Sequence, residues 1–281
     1  MNNKNLLTRT IAGAVYILLI LLGVLGGRFS FLAVFGIITG MGLFEFYRMV
    51  EKNRSHIICK VFNIVSGMLI FFSVFLFLEG ITLYAFPAAV LLYMLCLFVG
   101  AIFLQRNTIF HTIVCSAFGQ LYITMPLILL MFVRYQFGYT VVGHYYAFIL
   151  ALFVFIWVND TGAYLVGTLF GKHKLNERIS PKKTVEGFIG GIVFTVLASF
   201  VFVRFIPVCP INSYIFWAVF AVIIALFGTL GDLFESLIKR TYEVKDSGQI
   251  MPGHGGILDR IDSLLIAVPA IYLYLLVVFG K

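Results

Sequence analysis

Four of the five aspartates lie within or directly before apolar stretches in the second half of a sequence that is mostly apolar. Asp160 and Asp232 lie inside long apolar stretches, and Asp259 and Asp262 come immediately before another. A carboxylate within a membrane-spanning helix costs about 2.5–3.5 kcal/mol, so acids in such stretches need compensating partners. Carboxylates with open coordination positions suit Mg²⁺, which prefers oxygen ligands and usually shares its coordination shell with phosphates. The four aspartates are therefore candidate metal ligands.

Two loops near these aspartates are rich in basic residues and glycine. The first runs from Ser180 to Gly187 and contains Lys182 and Lys183. The second precedes the last apolar stretch and contains Lys239, Arg240, Lys245, His254, Gly255, Gly256 and Arg260. Lysine and arginine neutralise phosphate charge, and glycine allows the backbone to approach a bulky anion. Together with the acids, this pattern predicts metal-assisted phosphoryl chemistry at a membrane face.

Each of these features also has a simpler interpretation. Asp160 or Asp232 alone fits a proton relay or a cation pathway, and residues 252–256 alone fit a plain turn. Lys182 and Lys183 alone fit topology signals or contacts with anionic lipid. The combination favours an enzyme, and an ion-coupled transporter is the alternative from another class. A transporter of that kind is expected to carry inverted repeats, and none is detectable in the sequence.

The composition indicates which solvent surrounds the elements that position these residues. Of 281 residues, 62% are hydrophobic and 11% are charged, whereas soluble domains carry about 25% charged residues. A spanning helix takes about 20 residues, and breaks of charge, glycine and proline separate nine apolar stretches. These stretches are residues 11–27, 29–49, 57–78, 81–104, 109–133, 142–169, 188–207, 213–238 and 263–280. We predict an all-α polytopic membrane protein with about nine transmembrane helices.

We expect one integral membrane domain over residues 1–281. Residues 1–140 are nearly free of polar side chains inside the predicted spans and would form a scaffold, whereas residues 141–281 would carry the site. Glu45 is the polar exception in the scaffold. It is expected to pair with Arg48, which lies three residues later on the same helical face.

Basic residues are distributed unevenly over the predicted loops. Of the 20 Lys and Arg residues, all but Arg28, Arg134, Arg204 and Lys281 fall on the side that holds the N-terminus. Because positively charged loops are retained in the cytoplasm, we predict a cytoplasmic N-terminus and an external C-terminus. This distribution accounts for the net charge of +8 without a nucleic-acid partner. The candidate site would face the cytoplasm from a bacterial-type plasma (inner) membrane.

The segment from Ser236 to Asp262 carries a long and specific motif. It reads Ser236, two apolar residues, Lys239-Arg240, four residues, Lys245-Asp246, then His254-Gly255-Gly256, two residues, and Asp259-Arg260-Ile261-Asp262. This order closely resembles the signature of the phosphatidate cytidylyltransferases, the CDP-diacylglycerol synthases. Met251 departs mildly from it, because the family usually has Leu, Ile or Phe there. The resemblance extends to the segment from Ser180 to Gly187 and to residues 159–161.

The resemblance implies transfer of the cytidylyl group of CTP to phosphatidic acid, which gives CDP-diacylglycerol and pyrophosphate for phospholipid biosynthesis. It implies a Mg²⁺ site carried by Asp232 and Asp259, with K⁺ proposed as a second cation, and it implies a homodimer. Asp160 and Asp262 would be direct ligands or would support the ligands, and the residues leave this choice open.

The same resemblance implies roles for the basic and motif residues. Those that would hold the triphosphate or the departing pyrophosphate are Lys239, Arg240, Lys245 and Arg260. Lys182 and Lys183 would contact substrate phosphate, and the substrate-binding motif would be completed by Ser236, His254, Gly255 and Gly256. Of all these residues, those implied to be catalytic are Asp232, Asp259, Lys239 and Arg260. A related CTP-using lipid enzyme, such as a polyprenol kinase or a CDP-archaeol synthase, is the closer alternative.

Overall fold

The computed structural model describes residues 3–52, 60–104, 109–137, 146–205, 213–250 and 255–280. Within these ranges the helices are α1 (Asn3–Leu25), α2 (Arg28–Lys52), α3 (Lys60–Leu78), α4 (Ala85–Leu104), α5 (Ile109–Gly119), α6 (Met125–Phe132), α7 (Ala147–Phe170), α8 (Val185–Phe205), α9 (Tyr214–Thr241) and α10 (Leu258–Phe279). Single π-helical turns at Gln120–Thr124 and Val133–Phe137 flank α6. Two short strands, β1 (Lys174–Asn176) and β2 (Ser180–Thr184), form an antiparallel hairpin between α7 and α8.

Each of the nine predicted apolar stretches corresponds to a helix or a helical run. In the described ranges, eight helical segments are long and apolar enough to cross a membrane, and the apolar part of α1, Thr10–Leu25, is shorter. Helices satisfy their own backbone hydrogen bonds, as a lipid environment requires. The predicted all-α polytopic class is confirmed, and the chain is a multi-pass membrane protein. The orientation of the two termini stays a prediction.

Two element boundaries differ from the prediction and affect the site. Helix α10 begins at Leu258 rather than near residue 263, so Asp259 and Asp262 belong to the start of the helix and not to the preceding loop. An acid in the first turn is favourable because it lies at the positive end of the helix dipole. Helix α8 begins at Val185, and the segment before it, expected to be a loop, folds as the β-hairpin.

The chain forms two compact units, which are described separately. The first comprises residues 1–128 and 242–260, and the second comprises residues 129–241 and 261–281. In the first unit, α2 packs against α3, where Gly36 lies against Phe71 and Phe72. The expectation of a single domain stays a prediction.

An aromatic cluster forms the core of the second unit. Trp217 of α9 is fully buried, and its ring centroid lies 5.7 Å from that of Phe148 on α7 and 5.2 Å from that of Phe202 on α8. Such ring pairs contribute about 0.5–1.5 kcal/mol beyond the area that they bury. Trp217 therefore ties α7, α8 and α9 together at the ends of these helices that lie away from the hairpin.

Glycines allow α7 and α8 to approach closely next to the hairpin. A Cβ atom on Gly187 would lie 2.7 Å from the Ala163 carbonyl oxygen and 3.1 Å from the Gly167 Cα. Neither backbone atom can move aside as a flexible side chain would, so a residue without a Cβ is required here. This close approach places the second half of α7 beside the start of α8.

Candidate active site

The β-hairpin positions two of the predicted basic residues. Its strands pair antiparallel, with Lys174 opposite Thr184. Successive side chains of a strand point to opposite faces, and accordingly Lys182 is exposed whereas Lys183 is half-buried. The strand therefore directs Lys183 inward and leaves Lys182 at the rim.

Side-chain hydrogen bonds at the start of α8 hold the hairpin in place. Thr184 caps the helix, because its Oγ1 accepts the Gly187 N–H at 3.1 Å. The Glu186 Oε2 atom accepts the backbone N–H groups of Lys172 and His173, each at 3.1 Å. A helix N-terminus has unpaired N–H groups and favours an acid in its first turn. The segment from Thr184 to Gly187 therefore anchors the hairpin to α8.

A cavity of about 540 Å³, named here the site cavity, lies among α7, the hairpin, α8 and α9. Its lining residues are Asn159, Asp160, Ala163, Tyr164, Gly167, Thr168, Lys174, Leu175, Lys182, Lys183, Thr184, Gly187, Phe188, Thr229 and Asp232. Four predicted site residues are brought together in it, namely Asp160, Asp232, Lys182 and Lys183. Asn159 joins two of its walls, because its Nδ2 donates to Thr229 Oγ1 at 3.4 Å. The site cavity combines acids, lysines and an apolar wall.

Three carboxylates come together where α9 meets α10. One oxygen atom each of Asp232, Glu235 and Asp262 lies within 4.8 Å of the other two. The helices touch at Gly231, where a Cβ atom would lie 2.5 Å from the Asp262 carbonyl oxygen and 3.1 Å from the Ser263 Cα. Asp232 and Glu235 are three residues apart and share one helical face. Close helix packing and helical periodicity together build this carboxylate cluster, defined by Asp232, Glu235 and Asp262.

Two lysines balance part of the negative charge of the carboxylate cluster. Lys183 forms an ion pair with Asp232, and Lys239 forms an ion pair with Glu235. The Glu235 side chain is fully buried and that of Lys239 is 13% exposed, so salt screens the second pair little. Ser236 Oγ donates to Asp232 Oδ1 at 3.4 Å. These contacts supply the partners that acids in an apolar helix require.

Glu235 is a member of the cluster that was not among the predicted site residues. A signal for it exists in the sequence, because it lies three residues after Asp232 and four before Lys239, on one helical stripe. That spacing indicates a shared face, but it does not show that α10 brings Asp262 to the same place.

The donor set of the cluster fits magnesium. Mg²⁺ binds oxygen ligands at about 2.0–2.1 Å in octahedral geometry, so opposite ligands are about 4.2 Å apart. The three carboxylate oxygens lie within 4.8 Å of one another, so small side-chain movements would bring them to one ion. Hard anionic oxygens are also the ligands that this ion prefers. Asp232, Glu235 and Asp262 could therefore hold Mg²⁺.

The motif residue Asp259 lies in the first unit, at the start of α10. Its Oδ2 atom accepts the Ser247 N–H at 3.1 Å and the Gly256 N–H at 2.8 Å, and it lies 3.0 Å from the Ser247 hydroxyl oxygen. Hydrogen bonds to a charged carboxylate are about twice as strong as neutral ones. Asp259 is thus held in one orientation by Ser247 and by Gly256, the second glycine of the motif.

Glu45 does not form the expected pair with Arg48. Its Oε2 atom instead accepts the Ser247 O–H at 3.0 Å and the Leu258 N–H at 2.9 Å. The prediction was wrong because helical spacing indicates only local partners, whereas these two donors are 202 and 213 residues away in the chain. Glu45 is fully buried.

The other motif residues are placed as follows. Gly255 has a φ of +86°, a backbone conformation that favours glycine. The side chains of Arg240, Lys245 and Arg260 are exposed, and the Arg260 carbonyl oxygen accepts the Tyr16 O–H at 3.1 Å. His254 lies outside the described residues, so its predicted role in substrate binding stays a prediction.

Comparisons with known proteins identify relatives of this chain. Residues 7–278 match the sequence profile described as the "Cytidylyltransferase family". The chain is 34% identical over 279 residues to the phosphatidate cytidylyltransferase of Bacillus subtilis (strain 168), an alignment that covers 99% of this chain and 98% of that protein. It is 47% identical over 129 residues to the phosphatidate cytidylyltransferase of Staphylococcus haemolyticus (strain JCSC1435), which covers 46% of this chain and 49% of that protein.

The match extends over nearly the whole chain, including all the segments that form the site cavity and the carboxylate cluster. It confirms the resemblance drawn from the motif, and it shows that the chain is an enzyme, a nucleotidyltransferase, and not a transporter. The chain belongs to the phosphatidate cytidylyltransferases of the cytidylyltransferase family.

Proposed function

We propose that this enzyme transfers the cytidylyl group of CTP to the phosphate of phosphatidate, and that the site cavity and the carboxylate cluster carry out the reaction. One observation carries this assignment: acids, lysines and an apolar wall line a single cavity. Binding a nucleoside triphosphate requires positive charge and a metal, and binding a phospholipid requires positive charge beside an apolar surface. Both kinds of surface are present here.

The apolar wall supports a lipid as the acceptor. Tyr164, Leu175 and Phe188 line the site cavity. Tyr164 is 71% exposed, and it is followed on α7 by the exposed residues Leu165 and Leu169. In a membrane this face of α7 is in contact with lipid, so phosphatidate can enter sideways with its chains still in the bilayer.

The reaction needs positioning and charge neutralisation more than it needs a strong base. A phosphate monoester already carries about −1.5 to −2 charge at pH 7. One of its oxygens attacks the α-phosphorus of CTP, the new P–O bond forms, and the α–β phosphoanhydride bond breaks. The electron pair of that bond leaves with pyrophosphate. Holding the two phosphates in line therefore supplies most of the rate.

The lysines of the site are placed for this task. Lys183 and Lys182 can bind the phosphatidate phosphate at the hairpin, since one lies inside the site cavity and the other at its rim. Lys239 lies beside the carboxylate cluster through its pair with Glu235. We assign Arg240, Lys245 and Arg260 to the triphosphate and to the departing pyrophosphate, as the motif implies.

The carboxylates are the residues that would hold magnesium. Bound Mg²⁺ neutralises charge on the phosphate oxygens and polarises the phosphorus. Asp232, Glu235 and Asp262 supply suitable oxygens, and the motif implies that Asp259 is a magnesium ligand as well. Asp160 lines the site cavity near Asp232 and would orient ligands or water around it. A K⁺ ion as second cation stays a prediction.

We further propose that the site opens to the cytoplasm of a bacterial cell, from its inner membrane. CTP is made in the cytoplasm, and the uneven distribution of Lys and Arg supports placing the hairpin on that side. The predicted homodimer stays a prediction.

The position of the label in the product tests the proposed reaction. Purified protein in detergent is given phosphatidate, Mg²⁺ and CTP labelled with ³²P either at the α- or at the γ-phosphate. We expect α-label in the chloroform-soluble lipid, γ-label in aqueous pyrophosphate, and no transfer after EDTA treatment until Mg²⁺ is restored.

Two outcomes would contradict this. γ-Label in lipid, above all with a polyprenol in place of phosphatidate, would identify a kinase. Full activity in EDTA would contradict the metal-dependent mechanism while leaving the transfer reaction intact.

A further inference from the structure

Glu45 is a buried acid of the first unit that the proposed mechanism does not use. It lies in α2, within a span, and its side chain is fully buried. Its Oε1 atom has no hydrogen-bond partner among the residues that the structure describes. An ionisable group inside a span is costly, so a position that only needs packing would favour an apolar residue.

The hydrogen bonds of Glu45 lead to the motif. Glu45 Oε2 accepts the Ser247 O–H at 3.0 Å and the Leu258 N–H at 2.9 Å. Ser247 Oγ also lies 3.0 Å from Asp259 Oδ2, and the Ser247 N–H donates to the same oxygen at 3.1 Å. Ser247 thus links two carboxylates, one from α2 and one from the start of α10.

The same carboxylate accounts for glycine at two positions between Ser236 and Asp262. A Cβ atom on Gly256 would overlap Glu45 Oε2 and Ser247 Oγ, and a Cβ atom on Gly248 would overlap Glu45 Oε1. The backbone at both positions lies directly against the Glu45 carboxylate. The motif therefore accommodates Glu45 at two separate points, in addition to the hydrogen bonds.

We propose that Glu45 is a positioning residue for the reaction: through Ser247 and Leu258 it fixes the orientation of the Asp259 carboxylate. The inference rests on the proposed role of Asp259 as a magnesium ligand. Residues that orient a metal ligand act on metal affinity as well as on turnover, since a ligand that turns away must be reordered when the ion binds. Through Glu45, the scaffold half of the sequence would thus influence the chemistry indirectly, by way of the Asp259 carboxylate.

Direct metal binding and turnover together test this proposal. The full-length variants Glu45→Gln and Ser247→Ala and their combination are purified in detergent, and Mn²⁺ binding is followed by electron paramagnetic resonance beside kcat and thermal unfolding. We expect each single variant to weaken Mn²⁺ binding about tenfold and to lower kcat about as much. The double variant should bind Mn²⁺ and turn over about as well as the more impaired of the two single variants, because both changes break the same chain of contacts.

Glu51→Gln is the matched control. Glu51 lies on the same helix α2, forms an ion pair with Lys60 and is 21% exposed. Its variant should bind Mn²⁺ and turn over as wild type does.

Three results would overturn the proposal. The first is unchanged Mn²⁺ affinity in Glu45→Gln with only a lower unfolding temperature, and the second is an additive double variant. The third result applies if Glu45→Gln does not fold: unchanged Mn²⁺ affinity in Ser247→Ala would then contradict the proposal. The variant Asp259→Asn separates the role of Asp259 from the role of Glu45. Normal Mn²⁺ binding by Asp259→Asn would contradict the role proposed for Asp259. Weakened Mn²⁺ binding by Asp259→Asn together with normal binding by Glu45→Gln would contradict only the role of Glu45.

Discussion

Lys183 of the β-hairpin forms an ion pair with Asp232 of α9, and both side chains line the site cavity. The pair joins a residue that would bind substrate phosphate to one that would bind metal. When a phosphate and a cation enter together, the phosphate can bind Lys183 in place of Asp232, and the cation can bind Asp232 in place of Lys183. The ion pair therefore holds the Lys183 ammonium and the Asp232 carboxylate in place and balances their charges before the substrates bind.

Removing the charge of either assigned metal ligand should abolish turnover. Asp232→Asn and Asp259→Asn keep the shape of the side chain, so we expect both variants to insert and fold, and to lose nearly all cytidylyl transfer at every Mg²⁺ concentration. A Mg²⁺ titration of lipid labelling measures this. Glu177→Gln removes an exposed carboxylate from the hairpin turn and should leave activity unchanged. Near-normal activity in either aspartate variant would remove that residue from the metal site.

Lys183→Gln should raise the KM for phosphatidate. A hydrogen bond to a charged group is worth about 1.5–3 kcal/mol, so the KM should rise about tenfold or more. Steady-state kinetics with mixed micelles of defined phosphatidate content measures this. Lys172→Gln is the comparison, because the exposed Lys172 contributes its backbone N–H, and not its ammonium group, to the Glu186 contact. An unchanged KM would assign Lys183 to balancing Asp232 alone.

Glu235→Gln should destabilise the protein. The change removes the negative charge that faces the Lys239 ammonium in a nearly buried ion pair, and breaking a buried ion pair costs about 3–5 kcal/mol. Unfolding in a denaturing detergent, followed by circular dichroism, measures the loss. Adding Lys239→Met should recover part of the stability without recovering activity. If the double variant were less stable than the single one, the pair would not be the source of the effect.

Gly187→Ala should lower stability and activity together. Its Cβ atom would lie 2.7 Å from the Ala163 carbonyl oxygen, so α7 and α8 would separate beside the site cavity, at a cost of about 1–3 kcal/mol. Thermal unfolding and transfer rate measure the effect. Gly100→Ala is the matched control, since no described atom lies within 4 Å of the Cβ position there. Equal unfolding temperatures for the two variants would contradict the close approach.

Glu45 in the second span shows that helical spacing predicts only local side-chain partners. Glu45 and Arg48 are neighbours on the surface of an isolated helix, which is why a pair is predicted. In the folded chain Glu45 takes donors from Ser247 and Leu258 instead. Those donors bind one oxygen of a buried carboxylate, whereas an exposed ion pair contributes little to stability.

The hairpin between α7 and α8 shows the same limit for loops. Its basic residues led to a prediction of phosphate binding, but the strands are too short for an alternating pattern to predict them. Their position depends on Glu186, which accepts backbone N–H groups 13 and 14 residues away.

By itself the sequence determined the membrane class, the number and limits of most spans and the family. Each of these depends on local properties: an apolar run of sufficient length, or an unbroken motif such as the one from Ser236 to Asp262. Tertiary structure alone decided which acids meet. Asp262 reaches Asp232 because Gly231 lets α9 and α10 touch, and Glu45 reaches Ser247 across 202 residues. Such contacts depend on how helices pack, and packing depends on side-chain volumes from distant parts of the chain.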